Sequence, residues 1–499
     1  VLAAGALLVL SALSSLLRAR EGTVVDSLWL GSTPVSVFRP ASASGKRPVV
    51  LVNHGFAGSQ QLMLSFSLSL ARSGYIAVAF DYLGHGRNLA PLTGDITKVE
   101  GATQKLVEQT RKVADYALAL PDASGELALL GHSMASDIIV RYAAVDPRVR
   151  ATIALSMFST AVTADAPKNL LMIVGGLEGF LKEEALRVQG LVTEDPKDGV
   201  TVGDFTTGSA RRVVFADGVE HVGVLYSEES LIEAVRWLNS VFGGQQVRTT
   251  DGRGPAILAL LLGLTLLAWP LSHYLPSVAR PRRGASLNWP TLLPASLIPA
   301  IATPLLLMAF PADFLGVLVG GYLAVHFLLY GLLSGAVLWW LARRRPAVAT
   351  APVDYRRLAV ATGLSVAYLG GVFALALNTF VTSYAITGTR VPLLLLTLAG
   401  TLAYFLADEW LAAGEHALRG GHLFTRLCFL LSLGIAVALS FEDLFFLLII
   451  AAVIVLYFLL YGLFSRWVYR ATGHPAVAAI ANALTFAWAL AAVFPFIQP

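Results

Sequence analysis

Beyond residue 253 the chain becomes a succession of apolar runs, and it contains no lysine there. A stretch of roughly 20 apolar residues is what crosses a bilayer as a helix. Eight candidate runs lie at 256–275, 291–310, 314–341, 358–379, 391–407, 424–440, 444–464 and 475–497. A ninth, at the short limit, opens the chain at 1–17. A cleaved signal peptide is the rival reading of that first run. Either reading exports the adjoining globular segment if the N-terminus starts inside.

Composition agrees. The chain is 56% hydrophobic and 14% charged, against about 25% charged for an ordinary soluble protein. That excludes disorder and argues against a purely soluble enzyme. One cysteine, Cys428, allows no disulfide framework and no cysteine metal cluster. A net charge of +4 is too small to suggest nucleic acid as a partner.

The average conceals two unlike parts. Residues 1–253 carry 23 Lys+Arg against 25 Asp+Glu, whereas 254–499 carry 13 Arg against 7 acids. The expected organisation is an anchor at 1–20, a globular domain at 22–244, a linker at 245–255, and an eight-span membrane domain at 256–499. The linker reading rests on Gly243-Gly244-Gln245-Gln246 and Asp251-Gly252-Arg253-Gly254-Pro255.

Charge sets the expected topology. Pro294, Pro299 and Pro304 should kink or unwind the run at 291–310. Yet Arg280, Arg282 and Arg283 precede it, and Arg343, Arg344, Arg345, Arg356 and Arg357 come after the next run. Two Arg-rich loops belong on one face, so both intervening runs must span. Counting onward through Arg419, Arg426, Arg466 and Arg470, the loops after even spans hold 12 Arg. The opposite face holds 5: Arg18, Arg20, Arg248, Arg253 and Arg390. Positive-inside then puts the even loops in the cytoplasm and the globular domain outside. Arg18 and Arg20 pull the other way. Trp339 and Trp340 fit an interfacial belt. The Ala-, Leu- and Arg-rich usage points to a bacterial cell membrane, with the lipid bilayer as a partner.

FLLYGLLS at 327–334 matches FLLYGLFS at 458–465 in seven of eight positions. Pro346-Ala347-Val348-Ala349 matches Pro475-Ala476-Val477-Ala478, and Phe310-Pro311-Ala312-Asp313 resembles Phe441-Glu442-Asp443. The separation is about 130 residues throughout, which reads as a 4+4 parallel duplication. Asp313 and Glu442-Asp443 would then occupy short outer hairpins, as helix caps or as a docking point. His326 falls inside a span, where an ionisable group is a functional candidate by default; a hydrogen-bonded packing role is the alternative. Asp408, Glu409, Glu415, His416 and His422 are metal-like in composition but lack an HExxH spacing and include Arg419. They read as a solvated helix end.

The globular part shows a different rhythm. Apolar runs at 48–53, 76–80, 127–130, 152–155, 170–174 and 212–215 read as strands, and amphipathic stretches such as 100–120 and 134–145 separate most of them. This is the alternation of a parallel sheet, whose reactive groups sit at strand C-terminal ends. The third strand runs into Gly131-His132-Ser133-Met134-Ala135 and then a helix.

That strand-turn-helix pentapeptide resembles the nucleophile elbow of the α/β-hydrolase family, with Ala135 in place of the last glycine. Asn53-His54-Gly55-Phe56-Ala57-Gly58 looks like the family's oxyanion loop, and Asp81-Tyr82-Leu83-Gly84-His85-Gly86-Arg87 looks like a structural segment of it. The likeness covers about residues 25–242 and is nearest to compact esterases of dienelactone-hydrolase type. It implies an α/β-hydrolase domain fused to an all-α polytopic membrane domain of about nine spans in total. It also implies Ser133 as nucleophile and His221, after the last strand, as base. Glu178 would be the acid, with Asp165 as fallback, and the backbone N–H groups of Phe56 and Met134 would hold the oxyanion. His132 should point away from the site. The family's lid position, 156–169, is too short for a helical lid, and Phe56, Met134, Met157 and Phe158 could line the opening.

The expected activity is a serine hydrolase acting on an acyl-ester or lipid-like substrate, with no metal or organic cofactor. An acyltransferase using the same residues, a transporter-like membrane part coupled to a cargo-processing hydrolase, and an inactive scaffold are the alternatives.

Overall fold

Each apolar run of the N-terminal part forms a strand, and the six lie parallel and side by side. The computed structural model describes residues 1–42, 45–95, 98–244, 249–309, 320–344, 352–444, 447 and 451–498. Helix α1 (Leu2–Arg18) leads into a hairpin, β1 (Thr23–Leu30) and β2 (Thr33–Pro40), paired antiparallel from Thr23↔Pro40 to Leu30↔Thr33. Next come β3 (Arg47–Asn53), α2 (Leu64–Arg72), β4 (Ile76–Phe80), β5 (Leu92–Thr93), α3 (Gln104–Leu118), β6 (Ala123–His132), α4 (Met134–Val145) and β7 (Val149–Leu155). The unit continues through β8 (Leu170–Gly175), α5 (Gly179–Gln189), β9 (Thr201–Val202), β10 (Arg211–Ala216) and α6 (Glu228–Phe242). The nine-stranded sheet has the order β1-β2-β4-β3-β6-β7-β8-β10-β9, parallel from β4 to β10 and antiparallel at both edges.

Central strands are apolar throughout because helices cover both faces. Val50 and Val52 point to one face, against Phe66 of α2 and Trp237 and Leu238 of α6. Val49 and Leu51 point to the other, against Leu106 of α3 and Ile138 and Ile139 of α4. This is the period-two alternation of a strand, buried on both sides. The hairpin β1–β2 and the short strands β5 and β9 are not anticipated from sequence. β1 is an edge strand with mostly exposed residues, so it carries little apolar signal.

The chain divides into two compact units. One contains residues 11–258, together with 379–385 and 495–499. The last of these includes β11 (Ile497–Gln498), paired with β5. Part of the expected linker, 245–248, lies outside the described residues. Of the rest, Asp251 and Arg253 are buried and ion-paired, and the Asp251 N–H donates to Ser69 Oγ at 2.8 Å.

The other unit holds 1–10, 259–378 and 386–494. Seven helical segments among the described residues are long and apolar enough to cross a membrane: Gly254–Ser272, Trp289–Ala309, Gly320–Arg343, Tyr355–Phe380, Gly388–Ala412, Gly421–Leu439 and Pro475–Val493. The first run forms α1 with 17 residues, and the described part of the run at 444–464 continues into the 22-residue helix Ala451–Thr472. In chain order the helices are α7 (Gly254–Ser272), α8 (Trp289–Ala309), α9 (Gly320–Arg343), α10 (Tyr355–Val366), α11 (Ala374–Phe380), α12 (Val391–Ala412), α13 (Gly421–Leu439), α14 (Phe441–Leu444), α15 (Ala451–Thr472) and α16 (Pro475–Val493). The three prolines do not break α8, which runs as one helix across all of them. Proline's fixed φ is itself helical, so each ring removes one hydrogen bond without imposing a different dihedral.

The loops after even-numbered runs meet at one end of this unit. Val278 and Ala279 donate to Thr472 O, Arg283 to Gly473 O, Ser286 to Ala413 O, and Asp354 to Val278 O. These bonds hold the segments at 278–286, 354, 413 and 472–473 together. Arg343 and Arg344 lay their guanidinium groups over Trp339 and Trp340, at 3.7 and 3.9 Å from the ring centroids.

The two similar octapeptides lie on α9 and α15. Phe327 and Phe458 each pack on Tyr404, Phe429 and Phe486. The partner segments 310–313 and 346–349 lie outside the described residues, and with them Asp313 and Arg345. Glu442 and Asp443 are exposed in the first turn of the short helix α14. His326 is fully buried, and its Nε2 lies 3.0 Å from Ser432 Oγ, the bonded packing arrangement.

Candidate active site

The elbow is built by local geometry. β6 ends at His132 and α4 begins at Met134, so Ser133 must reverse the chain in one residue. It does so at φ 54° and ψ −119°, outside the regions that side-chain-bearing residues favour, at a cost of roughly 1–3 kcal/mol. Gly131 is required: a Cβ there would meet Ala135 O and Ile139 Cδ1 at 2.9 Å. Ala135 is itself fully buried, so the methyl that departs from the family pattern is accommodated. The Ser133 N–H donates to Leu155 O at 2.8 Å, which fastens the turn to β7.

Three side chains then form one hydrogen-bonded chain. Ser133 Oγ lies 2.9 Å from His221 Nε2, and His221 Nδ1 lies 2.5 Å from Glu178 Oε1. Ser133 comes after β6, Glu178 after β8 and His221 after β10, so all three stand at strand C-terminal ends. The other carboxylate oxygen, Glu178 Oε2, accepts from Ser156 Oγ at 2.6 Å and from Gly175 N–H at 2.7 Å. Asp165 is exposed, and its electrostatic neighbour is Arg211 rather than His221.

The loop after β3 lies against the elbow. A Cβ on Gly55 would meet Ser133 Cβ, His132 O and His132 Nδ1 at 3.0 Å, so glycine lets this loop approach without displacing the elbow. Phe56 is the next residue. Met134 is the first residue of α4, so its N–H lies outside that helix's own bonding ladder. His54 braces the loop: its Nδ1–H donates to Gly55 O at 2.8 Å, and its Nε2 accepts from Tyr82 N–H at 3.0 Å. Asp81 accepts from Gln60 N–H and Arg87 N–H at 2.7 and 2.8 Å, which ties the 81–87 segment to the same loop.

Two expectations change here. His132 does not point away from the site. Its Nε2–H donates to His221 O at 2.9 Å, and the two rings lie 4.8 Å apart. Met157 does not line an opening: it is fully buried, in the core with Leu170, Met172 and Val174. Phe158 is exposed, and Phe56 and Met134 are half-buried. Ser156 escapes the sequence reading. The available signal is its place at the C-terminal end of β7, where this fold presents functional groups.

Burial, and secondarily the neighbouring His221, pushes the His132 pKa down to about 3. Burial lowers that of His54 as well. The unfolded chain binds these protons below about pH 6.5, while the folded chain does not. Stability should therefore be complete above about pH 7.5 and fall progressively as pH drops from about 6.5 toward 3. His132→Gln should reduce the steepness of that fall by about 1.4 kcal/mol per pH unit, read from melting temperatures of the detergent-solubilised chain. An unchanged slope would show that His132 is not buried as described.

The acidic cluster in the helical unit also differs from expectation. Asp408 and Glu409, on the last turn of α12, are 3% exposed, not solvated. They converge with His422 on α13, and the ligand-type atoms of the three lie within 4.8 Å of one another. These are the residues that could hold a metal ion. Arg426 already supplies a positive charge, 3.1 Å from Glu409 and 3.6 Å from Asp408. Glu415, His416 and Arg419 stay apart as exposed or half-exposed groups. Gly462 on α15 makes room, since a Cβ there would meet Arg426 Nη1 at 2.6 Å. Arg426→Met should destabilise the solubilised chain by about 3–5 kcal/mol, because it removes the guanidinium that faces two buried carboxylates. Adding Asp408→Leu and Glu409→Met should recover most of that loss in the same denaturation experiment.

The family model described as serine aminopeptidase, S33, matches residues 44–191. No curated protein sequence matches the chain. Similar solved structures include a membrane phospholipase A described as a bacterial virulence factor, with 16% identity, 48% of this chain and 92% of that one covered, and a TM-score of 0.33. A methylesterase shows 15% identity over 50% of this chain and 68% of its own, with a TM-score of 0.34. An epoxide hydrolase from an endophytic Streptomyces shows 26% identity over 28% of this chain and 38% of its own, with a TM-score of 0.22. The family match spans β3 to α5 and includes the elbow, and with the parallel sheet it makes the N-terminal part of this chain an α/β-hydrolase domain.

Proposed function

We propose that the protein is a membrane-embedded serine hydrolase that cleaves a carboxylic ester through an acyl-enzyme on Ser133. The observation that carries this reading is the continuous hydrogen-bonded chain from Ser133 through His221 to Glu178. A serine hydroxyl is a weak nucleophile and needs a base within hydrogen-bond reach. With Nδ1–H given to Glu178, the Nε2 of His221 is free to accept the Ser133 proton as Oγ attacks the ester carbonyl. The Phe56 and Met134 N–H groups receive the oxyanion. His221 then protonates the departing alkoxide and the alcohol leaves. In the second half, His221 takes a proton from water as the water oxygen attacks the acyl carbonyl, and it returns that proton to Ser133 Oγ as the acyl–oxygen bond breaks and the acid leaves.

We read the domain as lying on the extracytoplasmic face, because the positive-inside rule puts the Arg-rich loops after even runs in the cytoplasm. A membrane-impermeant fluorophosphonate tests both parts. It should label wild-type chain on intact cells and leave Ser133→Ala and His221→Ala unlabelled. Labelling only after lysis would reverse the sidedness. No wild-type labelling in lysate would overturn the hydrolase.

A further inference from the structure

Beside the site lies an apolar surface that the chemistry just described does not use. Ser156 and Glu178 are bonded to each other, and two residues beyond each stands a phenylalanine. Phe158 is 52% exposed and Phe180 67%, and their ring centroids lie 6.0 Å apart. Leu177, next to Glu178, is 68% exposed. Apolar groups this open, gathered in one place, mark a binding surface more often than scattered ones do.

Its position says what it binds. The Phe158 N–H donates to Ser136 Oγ at 3.3 Å, and Ser136 Oγ donates to Ser133 O at 2.6 Å. The backbone that carries the Phe158 ring is thus fastened to the elbow itself. Phe180 is carried by the turn that holds the acid. Residues 156–169, all of them described, form no helix that could cover the pair. Lys182, in the first turn of α5, is held away from it: its ammonium donates to Gly176 O at 2.9 Å and lies over the Phe215 ring. The Lys182 ammonium is therefore engaged elsewhere than on the two exposed rings.

We propose that Phe158, Phe180 and Leu177 hold a hydrocarbon chain of the ester that reacts at Ser133, so that the enzyme prefers long-chain esters. The inference rests on the hydrolase reading and names its substrate class. The chain can come from the acyl or from the alcohol side of the ester. Each methylene laid on such a surface raises kcat/KM by up to about fourfold.

The test uses the full-length chain in lipid nanodiscs and two soluble ester series. One varies the acyl group from acetyl to octanoyl on a fixed phenol, and the other varies the alcohol from ethanol to octanol on a fixed acetyl. In wild type, kcat/KM should climb with length in one series, by about 10²-fold or more over its range, and that series identifies the side. In Phe158→Ser/Phe180→Ser the climb should shrink below about fivefold, while Phe158→Leu/Phe180→Leu retains most of it. Unchanged melting temperatures establish that both variants fold. A wild type indifferent to length in both series, or a serine variant that keeps the full climb, overturns the proposal. Wild type that turns over no ester and takes no fluorophosphonate overturns the hydrolase reading instead.

Discussion

Ser133→Ala is expected to lower kcat for a cleaved ester by about 10⁶ and to leave KM within a small factor. The alanine removes the atom that bonds to the carbonyl, while the Gly55 loop and the Met134 N–H remain in place. Binding and oxyanion stabilisation persist, and together they account for about 10³–10⁴ over water. His221→Ala should lose about as much, and the double variant no more than either alone, because the two act as one unit. Stopped-assay product measurement at saturating substrate distinguishes these outcomes. A Ser133→Ala chain that retains a tenth of wild-type turnover would show that another group performs the attack. Loss of the strained φ at position 133 adds a second readout. Ser133→Gly should raise the melting temperature, because glycine adopts positive φ without the side-chain penalty.

Glu178→Gln is expected to lower kcat by about 10⁴ with little change in KM. A carboxylate opposite Nδ1 requires the proton there, which leaves Nε2 able to accept from Ser133. An amide can present N–H₂ to Nδ1 instead. The imidazole then carries its proton on Nε2 and cannot act as base. The carboxylate also stabilises the imidazolium that forms as Ser133 attacks. Ser156→Ala removes one of the donors that hold Glu178 Oε2, so it should cost far less, about tenfold, and Ser156→Thr should restore part of it. Turnover by Glu178→Gln within about tenfold of wild type would remove Glu178 from this role.

The sheet is readable in sequence for a physical reason. β3, β4, β6, β7, β8 and β10 are buried on both faces, so each appears as an unbroken apolar run between amphipathic stretches. The edge strands β1 and β9 pack on one side or neither and leave no such trace. The elbow is readable because it is local: a strand, five residues and a helix contain all its constraints. The partner of His221 is not. Glu178 and Asp165 are both acids in loops after apolar strands, and only the sheet order, which puts β8 beside β10, brings one of them to the base.

The same division holds for the apolar half. Its helices, their prolines included, are legible as unbroken apolar runs of about the length that crosses a membrane. Asp408 and Glu409 look like a solvated end because Glu415, His416, Arg419 and His422 follow within fourteen residues. They are buried because His422 and Arg426 come up from α13 and Gly462 on α15 leaves space for the guanidinium.

Sequence alone thus determined the alternation of strands and helices, the tight turn at Ser133 and the positions of the apolar helices, all of which depend on neighbours a few residues apart. Tertiary structure decided which carboxylate meets the imidazole, where His132 turns and that two phenylalanines stand together beside the site. Those outcomes depend on contacts between residues far apart in the chain, and local pattern carries no information about them.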